Sequence, residues 1–485
     1  MIPPTLHGLG LPLLLGAALV AVQVLFGVFV LLRPHSRQTS SLAWILIIVT
    51  LPGVGILLYL VLGEVRTGSK RRRRAQNIQA NIRSVLGRAW LKSPAPGFVR
   101  EAFQPVARLA TEASDSSPRG GNRLDLLAEA SDFAKSLVGD IEQAEKHVHL
   151  LYYIYLNDGA GRAVAEALVR AAERGVDCRL LVDCVGSSAF LKSDLCRELK
   201  EAGVDVAGAL PTRITQIVRV RFDMRNHRKI AVVDGSVGYT GSHNLADEAF
   251  HPKPRFAPWV DATLRIEGPA VRDLQALFVA DWFMDTGQSL DHLILAPHWA
   301  DSEGTTVQIV GTGPGSRNQI LVQVIQSAIH LAREEIILTT PYFVPDEGTF
   351  SAMITAAMRG IRTVLVLPKR NDSPLVSLAS RSFYARLLEA GVEIQEYTRG
   401  LLHAKTITVD RDLAMVSTAN FDRRSFEINF ELTTLIYDTD FASELRLLQN
   451  TYIEDCIPVH PDRWKLRPWP RRLAENMAGL VGPVL

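Results

Sequence analysis

Apolar residues gather first in two long runs at the start of the chain. Leu11 to Leu32 is apolar apart from Gln23, and no Lys, Arg, Asp or Glu occurs before Arg33. About 20 such residues cross a hydrocarbon core of about 30 Å, so the run predicts a transmembrane helix over 11–32. Ser41 to Gly63 is also free of charge. Its Pro52-Gly53 step is tolerable where neighbouring helices re-satisfy the backbone, which predicts a second span over 41–63. The two spans make a transmembrane hairpin over residues 1–66. A cleaved signal peptide would need basic residues ahead of a short apolar core, whereas here Arg33 follows the run.

Residues 67–120 start basic and are broken by Pro94, Pro96 and Gly120-Gly121, which reads as a juxtamembrane connector. Beyond it the apolar period alternates between helix and strand. Asp132 to Lys146 is helix-like, His147 to Tyr155 strand-like, Gly161 to Arg174 helix-like and Cys178 to Cys184 an apolar strand. The same order then returns: IHLAREEIILTTPYFVP from Ile329 echoes IEQAEKHVHLLYYIYL from Ile141, and Ala390-Gly391-Val392 echoes Ala202-Gly203-Val204. Repetition at this length is a duplicated domain, since solenoid periods are about 20 to 50 residues. The expected fold is therefore α/β, with two similar domains over 121–300 and 301–460 packed about a pseudo-twofold axis. The last segment, 461–485, mixes Trp464, Trp469, Arg467, Arg471 and Arg472 with apolar residues, as an interfacial or a packing helix does.

A length of 485 residues agrees with more than one core. With 47% apolar and 21% charged residues the chain is not a disordered one. A net charge of +2 lacks the basic excess of nucleic-acid binders, so no nucleic-acid partner is expected and any anionic ligand must be met locally. Cys178, Cys184, Cys196 and Cys456 form no CxxC pair, which argues for reduced thiols and against structural zinc. Arg33 and Arg37 lie between the spans, whereas Arg66, Lys70, Arg71, Arg72, Arg73 and Arg74 follow the second. The positive-inside rule places the C-terminal domains in the cytoplasm. The basic run also suits anionic headgroups, at about 1 kcal/mol per residue, or serves as a topology signal alone.

Two segments carry candidate chemistry. NHRKIAVVDGSVGYTGSHN from Asn226 and LHAKTITVDRDLAMVSTAN from Leu402 both spell His-x-Lys-x4-Asp, as His227, Lys229, Asp234 and His403, Lys405, Asp410. Each then reaches an asparagine, Asn244 or Asn420, at the same distance. One such motif is weak, but two at matching places in a duplicated domain are strong. On a strand, residues i and i+2 share a face, so imidazole and ammonium meet one ligand. Asp234 and Asp410 sit where each strand turns, and Asp commonly bonds its own turn backbone, so on chemistry alone they read as structural. Asp261 in WVDATLRI and Glu431 in NFELTTLI occupy one place in the two copies, and a carboxylate there could hold an imidazole by Nδ1 and leave Nε2 free to react. Two His, two Lys and two Asn suit a phosphoryl group that changes partners, with no metal or other cofactor required. One histidine would form a phosphohistidine while the other protonates the departing alkoxide. GTGPGS from Gly311 lacks the Lys and Ser/Thr of a P-loop and reads as a turn. His147, His149 and His243 lack a ligand set and read as packing residues.

The paired motifs, with TGSHN and STANFDRRSFEINFE behind them, resemble the phospholipase D superfamily. RQTSSLAWILIIVTLPGVGILLYLVLGE, HLLYYIYLNDGAGR, ERGVDCRLLVDCVGS and TTPYFVPDE resemble, more narrowly, bacterial cardiolipin synthases. The resemblance implies two phospholipase D-like domains behind a membrane hairpin in the bacterial cytoplasmic membrane. It implies transfer of a phosphatidyl group from one phosphatidylglycerol to another, giving cardiolipin and glycerol. Its catalytic set is His227, Lys229, Asp234, His403, Lys405 and Asp410, with Asn244 and Asn420 on phosphate, Asp261 and Glu431 orienting the histidines, and His227 favoured as nucleophile. The alternative is a hydrolase, or a transphosphatidylase with another acceptor. Ser417-Thr418 replaces the Gly241-Ser242 of the first copy, so a contact at Thr418 does not follow from the resemblance.

Overall fold

The computed structural model describes residues 7–32, 38–63, 69–92, 96–211, 221, 223–295, 303–314 and 320–481. The chain forms two units: Met1–Ser69 with Thr212–Asp223, and Lys70–Pro211 with Met224–Leu485.

In the first unit, helix α1 (His7–Leu32) contains no Lys, Arg, Asp or Glu. Its segment Leu14–Leu32 is long and apolar enough to cross a membrane, and almost all of it is exposed. The second expected span differs from its prediction. Instead of one helix over 41–63 there are two shorter ones, α2 (Gln38–Thr50) and α3 (Val54–Leu62). Proline cannot donate to the helical ladder, and Gly53 takes φ +76, which ends α2 at this step. Gly55 lets the two helices approach, since a Cβ there would lie 2.4 Å from the Ile47 carbonyl oxygen. Gln23 donates its amide to the Ile48 carbonyl at 2.7 Å, and Val30, Ile48 and Tyr59 form a small buried centre. Arg33, Arg37 and Arg66 lie outside the described residues.

The second unit opens with helix α4 (Ser69–Lys92), so the expected connector is largely helical. Arg71 pairs with Asp285 and Arg74 donates to the Met284 carbonyl at 3.1 Å. Part of the basic run is thus consumed inside the protein rather than left for headgroups. The strands of the first half are β1 (Arg119–Leu127), β2 (His147–Tyr152), β3 (Asp177–Asp183), β4 (Asp205–Ala209), β5 (Ile230–Val233), β6 (Val237–Gly241), β7 (Trp259–Val260) and β8 (Thr263–Glu267). A boundary at 120 would fall within β1. The second half supplies β9 (Thr305–Thr312), β10 (Glu335–Thr339), β11 (Arg362–Pro368), β12 (Glu393–Tyr397), β13 (Leu401–Leu402), β14 (Thr406–Val409), β15 (Leu413–Ser417), β16 (Glu431–Ile436) and β17 (Cys456–Pro458). Gly311 and Thr312 therefore end a strand, not a turn, and Gly315-Ser316 lie outside the described residues.

Among the described residues, all strands but β7 and β13 join one sheet. From its centre the order runs β1-β8-β6-β5-β2-β3-β4 one way and β9-β16-β15-β14-β10-β11-β12-β17 the other. At the seam β1 and β9 are antiparallel, with Asn122 opposite Thr305. Alternate strand residues face opposite sides. Ile230 and Val232 join a core under helices Val271–Thr286 and Thr439–Glu454 that includes Leu264, Ile309 and Leu432 and so spans both halves. Ala231 and Val233 face the other way, under helices Ala130–Glu142 and Gly159–Glu173.

Asp234 and Asp410 sit at the far ends of β5 and β14 from His227 and His403. At each hairpin two successive residues take positive φ, Asp234 and Gly235 (52° and 68°) or Asp410 and Arg411 (53° and 56°), which matches the right-handed twist of the flanking strands. The Asp234 carboxylate accepts from the backbone N–H groups of Glu145, Lys146 and His147 at 2.8–2.9 Å. Asp410 accepts from Arg333, Glu334 and Glu335 at 2.7–3.0 Å. Each carboxylate thus ties its hairpin to the start of β2 or β10. Asp234→Ala should lower stability by about 1–3 kcal/mol, the worth of hydrogen bonds to a charged group. Turnover per folded molecule should stay within a few-fold of wild type, measured by thermal unfolding beside activity; a folded but inactive variant would return Asp234 to the chemistry.

Candidate active site

Each His-x-Lys segment is pinned by backbone bonds to the opposite half. His227 N–H donates to the Phe430 carbonyl at 2.9 Å, and Phe430 N–H to that of Arg225 at 2.9 Å. In the other copy β13 runs parallel to β7, and the N–H groups of His403 and Ala404 both reach the Val260 carbonyl, at 2.7 and 2.9 Å. The residue after Phe430 is Glu431 and the residue after Val260 is Asp261. The pairing therefore crosses. His227 Nδ1 lies 3.0 Å from Glu431 Oε2 and His403 Nδ1 lies 2.6 Å from Asp261 Oδ1. An ionised carboxylate only accepts, so Nδ1 carries a proton, and Nε2 has a lone pair in the neutral ring or a proton to give in the imidazolium.

Lys229 and Lys405 point back to the carbonyls of His227 and His403, and both are 1% exposed. Burial lowers Lys229 to about 8, against the pull of Glu431 and Asp261. Burial also lowers Lys405 to about 7, with Lys229 adding repulsion. Burial, then Lys405, brings His403 to about 4 although Asp261 opposes it, and burial lowers His227 against Glu431. Burial would raise Asp261 and Glu431, but their histidines hold both carboxyls below the usual range. Lys405 lowers His227 and Lys229 lowers His403, so the charge of each motif is felt by the histidine of the other.

The expected phosphate ligands are less alike. Asn244 Oδ1 accepts from Ile154 N–H at 3.3 Å. Asn420 donates its backbone N–H to Ser425 Oγ at 3.1 Å, while its Oδ1 is buried with no partner among the described residues. His243 stacks on Phe133 with ring centres 5.0 Å apart and bonds Thr263 Oγ1 at 3.0 Å. Gln275 bridges His147 and His149. Among the described residues no three His, Cys, Asp or Glu side chains come together as a metal site.

Other side chains touch these residues. Tyr153 meets the His227 ring edge-on at 4.8 Å, with Lys229 Nζ 5.5 Å from its own ring centre. Trp259 lies 4.7 Å from the His403 ring; it stands two residues before Asp261, a same-face spacing that could have flagged it. Thr418 Oγ1 donates to Glu431 Oε2 at 2.5 Å. Its counterpart Ser242 instead accepts from Ala262 N–H at 3.0 Å. Arg228 donates to Asp281 at 2.8 Å and to the carbonyls of Glu431 and Thr312 at 3.1 and 2.8 Å.

The site thus holds two buried, crossed His-carboxylate pairs with a lysine beside each histidine. The model of the family described as cardiolipin synthase, PLD-like domain, matches residues 137–282 and 325–449, and that described as phospholipase D-nuclease N-terminal matches 21–64. The chain is 37% identical over 464 residues to cardiolipin synthase A of Yersinia pseudotuberculosis serotype O:1b, covering 94% of this chain and 95% of that one. It is 36% identical over 466 residues to cardiolipin synthase A of Edwardsiella ictaluri, with the same coverage. In fold it is similar to phosphatidylserine synthase of Haemophilus influenzae Rd KW20, at a TM-score of 0.60 and 15% identity over 79% of this chain and 100% of that one. The chain belongs to the cardiolipin synthase family of phosphatidyltransferases, within the phospholipase D superfamily.

Two lysines lowered to about 8 and about 7 give the site a proton-linked affinity. A phosphodiester favours both ammonium groups and so raises their pKa values. Binding of an anion above pH 7 should then take up protons, and its affinity should fall as pH rises. Calorimetric titration with glycerophosphoglycerol at pH 8.5, in buffers of differing ionisation enthalpy, should show net proton uptake. Binding without uptake there would mean that the free site already holds both charges.

Proposed function

We propose that the chain makes cardiolipin from two phosphatidylglycerol molecules through a phosphohistidine, with His227 as nucleophile. The observation that carries this reading is the crossed pair of buried imidazoles, each anchored at Nδ1 with Nε2 free. His227 Nε2 attacks phosphorus as the P–O bond to glycerol breaks. His403 gives its proton to the departing alkoxide, in a site where Asp261 and the bound anion favour the imidazolium. The hydroxyl of a second phosphatidylglycerol then returns that proton to His403 and attacks phosphorus, which releases His227 and forms cardiolipin. Lys229 and Lys405 neutralise the non-bridging oxygens, and Asn244 and Asn420 complete the phosphate site.

In this reading the two halves are phospholipase D-like domains about a pseudo-twofold axis, supported by the matching strand order on either side of the β1–β9 seam. Helices α1 to α3 form a hairpin that crosses the bacterial cytoplasmic membrane twice. A cytoplasmic position of the domains is supported by the basic residues after it. One phosphodiester replaces another, so the free-energy change lies within about 1.4 kcal/mol, one tenfold step in the equilibrium constant. Purified enzyme should therefore make cardiolipin from phosphatidylglycerol alone, and excess glycerol should drive cardiolipin back. Phosphatidic acid as main product, indifferent to glycerol, would mean a hydrolase.

The crossed pairing gives a sharper expectation. Glu431→Gln should act on the His227 step and slow formation of the acid-labile adduct by roughly 10²-fold. Asp261→Asn should act on His403, slowing overall transfer by a similar factor through departure of glycerol and attack of the acceptor. His227→Ala should yield no adduct. Rapid-quench trapping with labelled phosphatidylglycerol reads all three, and an undiminished adduct in His227→Ala would reassign the nucleophile.

A further inference from the structure

The helix Trp469–Val481 is turned inside out relative to an ordinary packing helix. Its inner face, against helix Pro374–Glu389, carries Glu475, which is 1% exposed. Arg467 pairs with that carboxylate at 3.2 Å and Arg471 at 3.3 Å, while Ala478 packs beside Val344 and Ala379. Its outer face carries Trp469, Leu473, Met477 and Leu480, exposed by 73%, 50%, 58% and 82%. At 3.6 residues per turn these four fall within an arc of about 80°. Leu466, just ahead of the helix, is 82% exposed as well. A charge is thus buried while an apolar stripe faces outward, the reverse of what folding in water favours.

The surroundings of the stripe select its partner. From residue 461 to 481 the chain holds five basic residues, Arg463, Lys465, Arg467, Arg471 and Arg472, against two acidic ones, Asp462 and Glu475. Glu475 is already neutralised by two arginines, so within the helix itself no bare carboxylate opposes an anionic surface. Arg472 sits beside the apolar arc, and Trp469 opens it. An aromatic and apolar face bordered by basic side chains is the composition of helices that lie in the interface of an anionic bilayer.

We infer that the outer face of this helix is a membrane contact in its own right, inserting Trp469, Leu473, Met477 and Leu480 among the acyl chains of a bilayer that contains anionic lipid. The inference uses the phosphatidyltransferase reading only for the substrate of one assay. The test takes the full chain in vesicles of phosphatidylglycerol and phosphatidylcholine. With lipids brominated high on the acyl chain, wild type should lose more tryptophan emission than Trp469→Phe, and the difference should shrink as phosphatidylglycerol is replaced by phosphatidylcholine. Equal quenching of the two proteins overturns the inference whether or not the chain makes cardiolipin. The double variant Leu473→Glu, Met477→Glu should lose about tenfold in activity on vesicles and keep its activity on dispersed short-chain phosphatidylglycerol. Loss of both activities with a lower thermal transition would make the face a packing element. A change in particle mass by light scattering would make it a contact between copies. Either result overturns the membrane assignment.

Discussion

Two imidazoles and two ammonium groups share an interior that favours none of their charged forms, and burial alone would discharge them. Glu431 and Asp261 oppose that tendency, and they can do so because each is the residue next to a backbone hydrogen bond from the histidine segment it serves. A buried charge needs a partner in good geometry. Here the geometry is set by main chain, Phe430 to His227 and Val260 to His403, before any side chain is considered. Since each bond joins opposite halves, neither half alone can hold its own histidine.

The rest of the second unit follows from that crossing. The β1–β9 seam and the core under helices Val271–Thr286 and Thr439–Glu454 fix one half against the other. Arg228 adds a buried clamp, with one guanidinium on Asp281 of the first half and on the Glu431 and Thr312 carbonyls of the second. The Asp234 and Asp410 turns then hold the outer ends of β5 and β14, so each His-Lys segment is fixed at the site by the opposite half and at its far end by its own.

Much of this was legible in the sequence because it rests on local periodicity and duplication. The strand at His147 ends at Tyr152 rather than Tyr155, and the helix expected from Asp132 to Lys146 runs Ala130–Glu142; such shifts arise where caps and turns outweigh periodicity. His227, Lys229, His403 and Lys405 were visible because the motif occurs twice. The aspartates of those motifs show the opposite hazard, since motif membership and turn chemistry point different ways, and the contacts the fold gives them are those of turn residues. Asp261 and Glu431 could be aligned, but which histidine each serves depends on contacts some 140 to 200 residues apart along the chain, and no local pattern encodes that. Tyr153 and Trp259 lay inside apolar runs, where an aromatic residue beside a site looks like core. The Pro52-Gly53 break was visible as a residue pair, yet its effect on the second helix depended on Gly53 taking a left-handed conformation.

Phe430 extends the same constraint toward the start of the second unit. The guanidinium groups of Arg71 and Arg228 both lie over its ring, 5.2 and 5.4 Å from the ring centre, and its carbonyl receives the His227 N–H. Arg71 is also tied to Asp285 at the end of the helix that carries Asp281. Two cations on one aromatic ring are tolerable because each is paired with a carboxylate of that helix. A displacement of the first turn of α4 would therefore be felt at the backbone that positions His227, through one ring and one hydrogen bond. The stretch that reads as a basic linker in sequence is, in three dimensions, part of the support of His227.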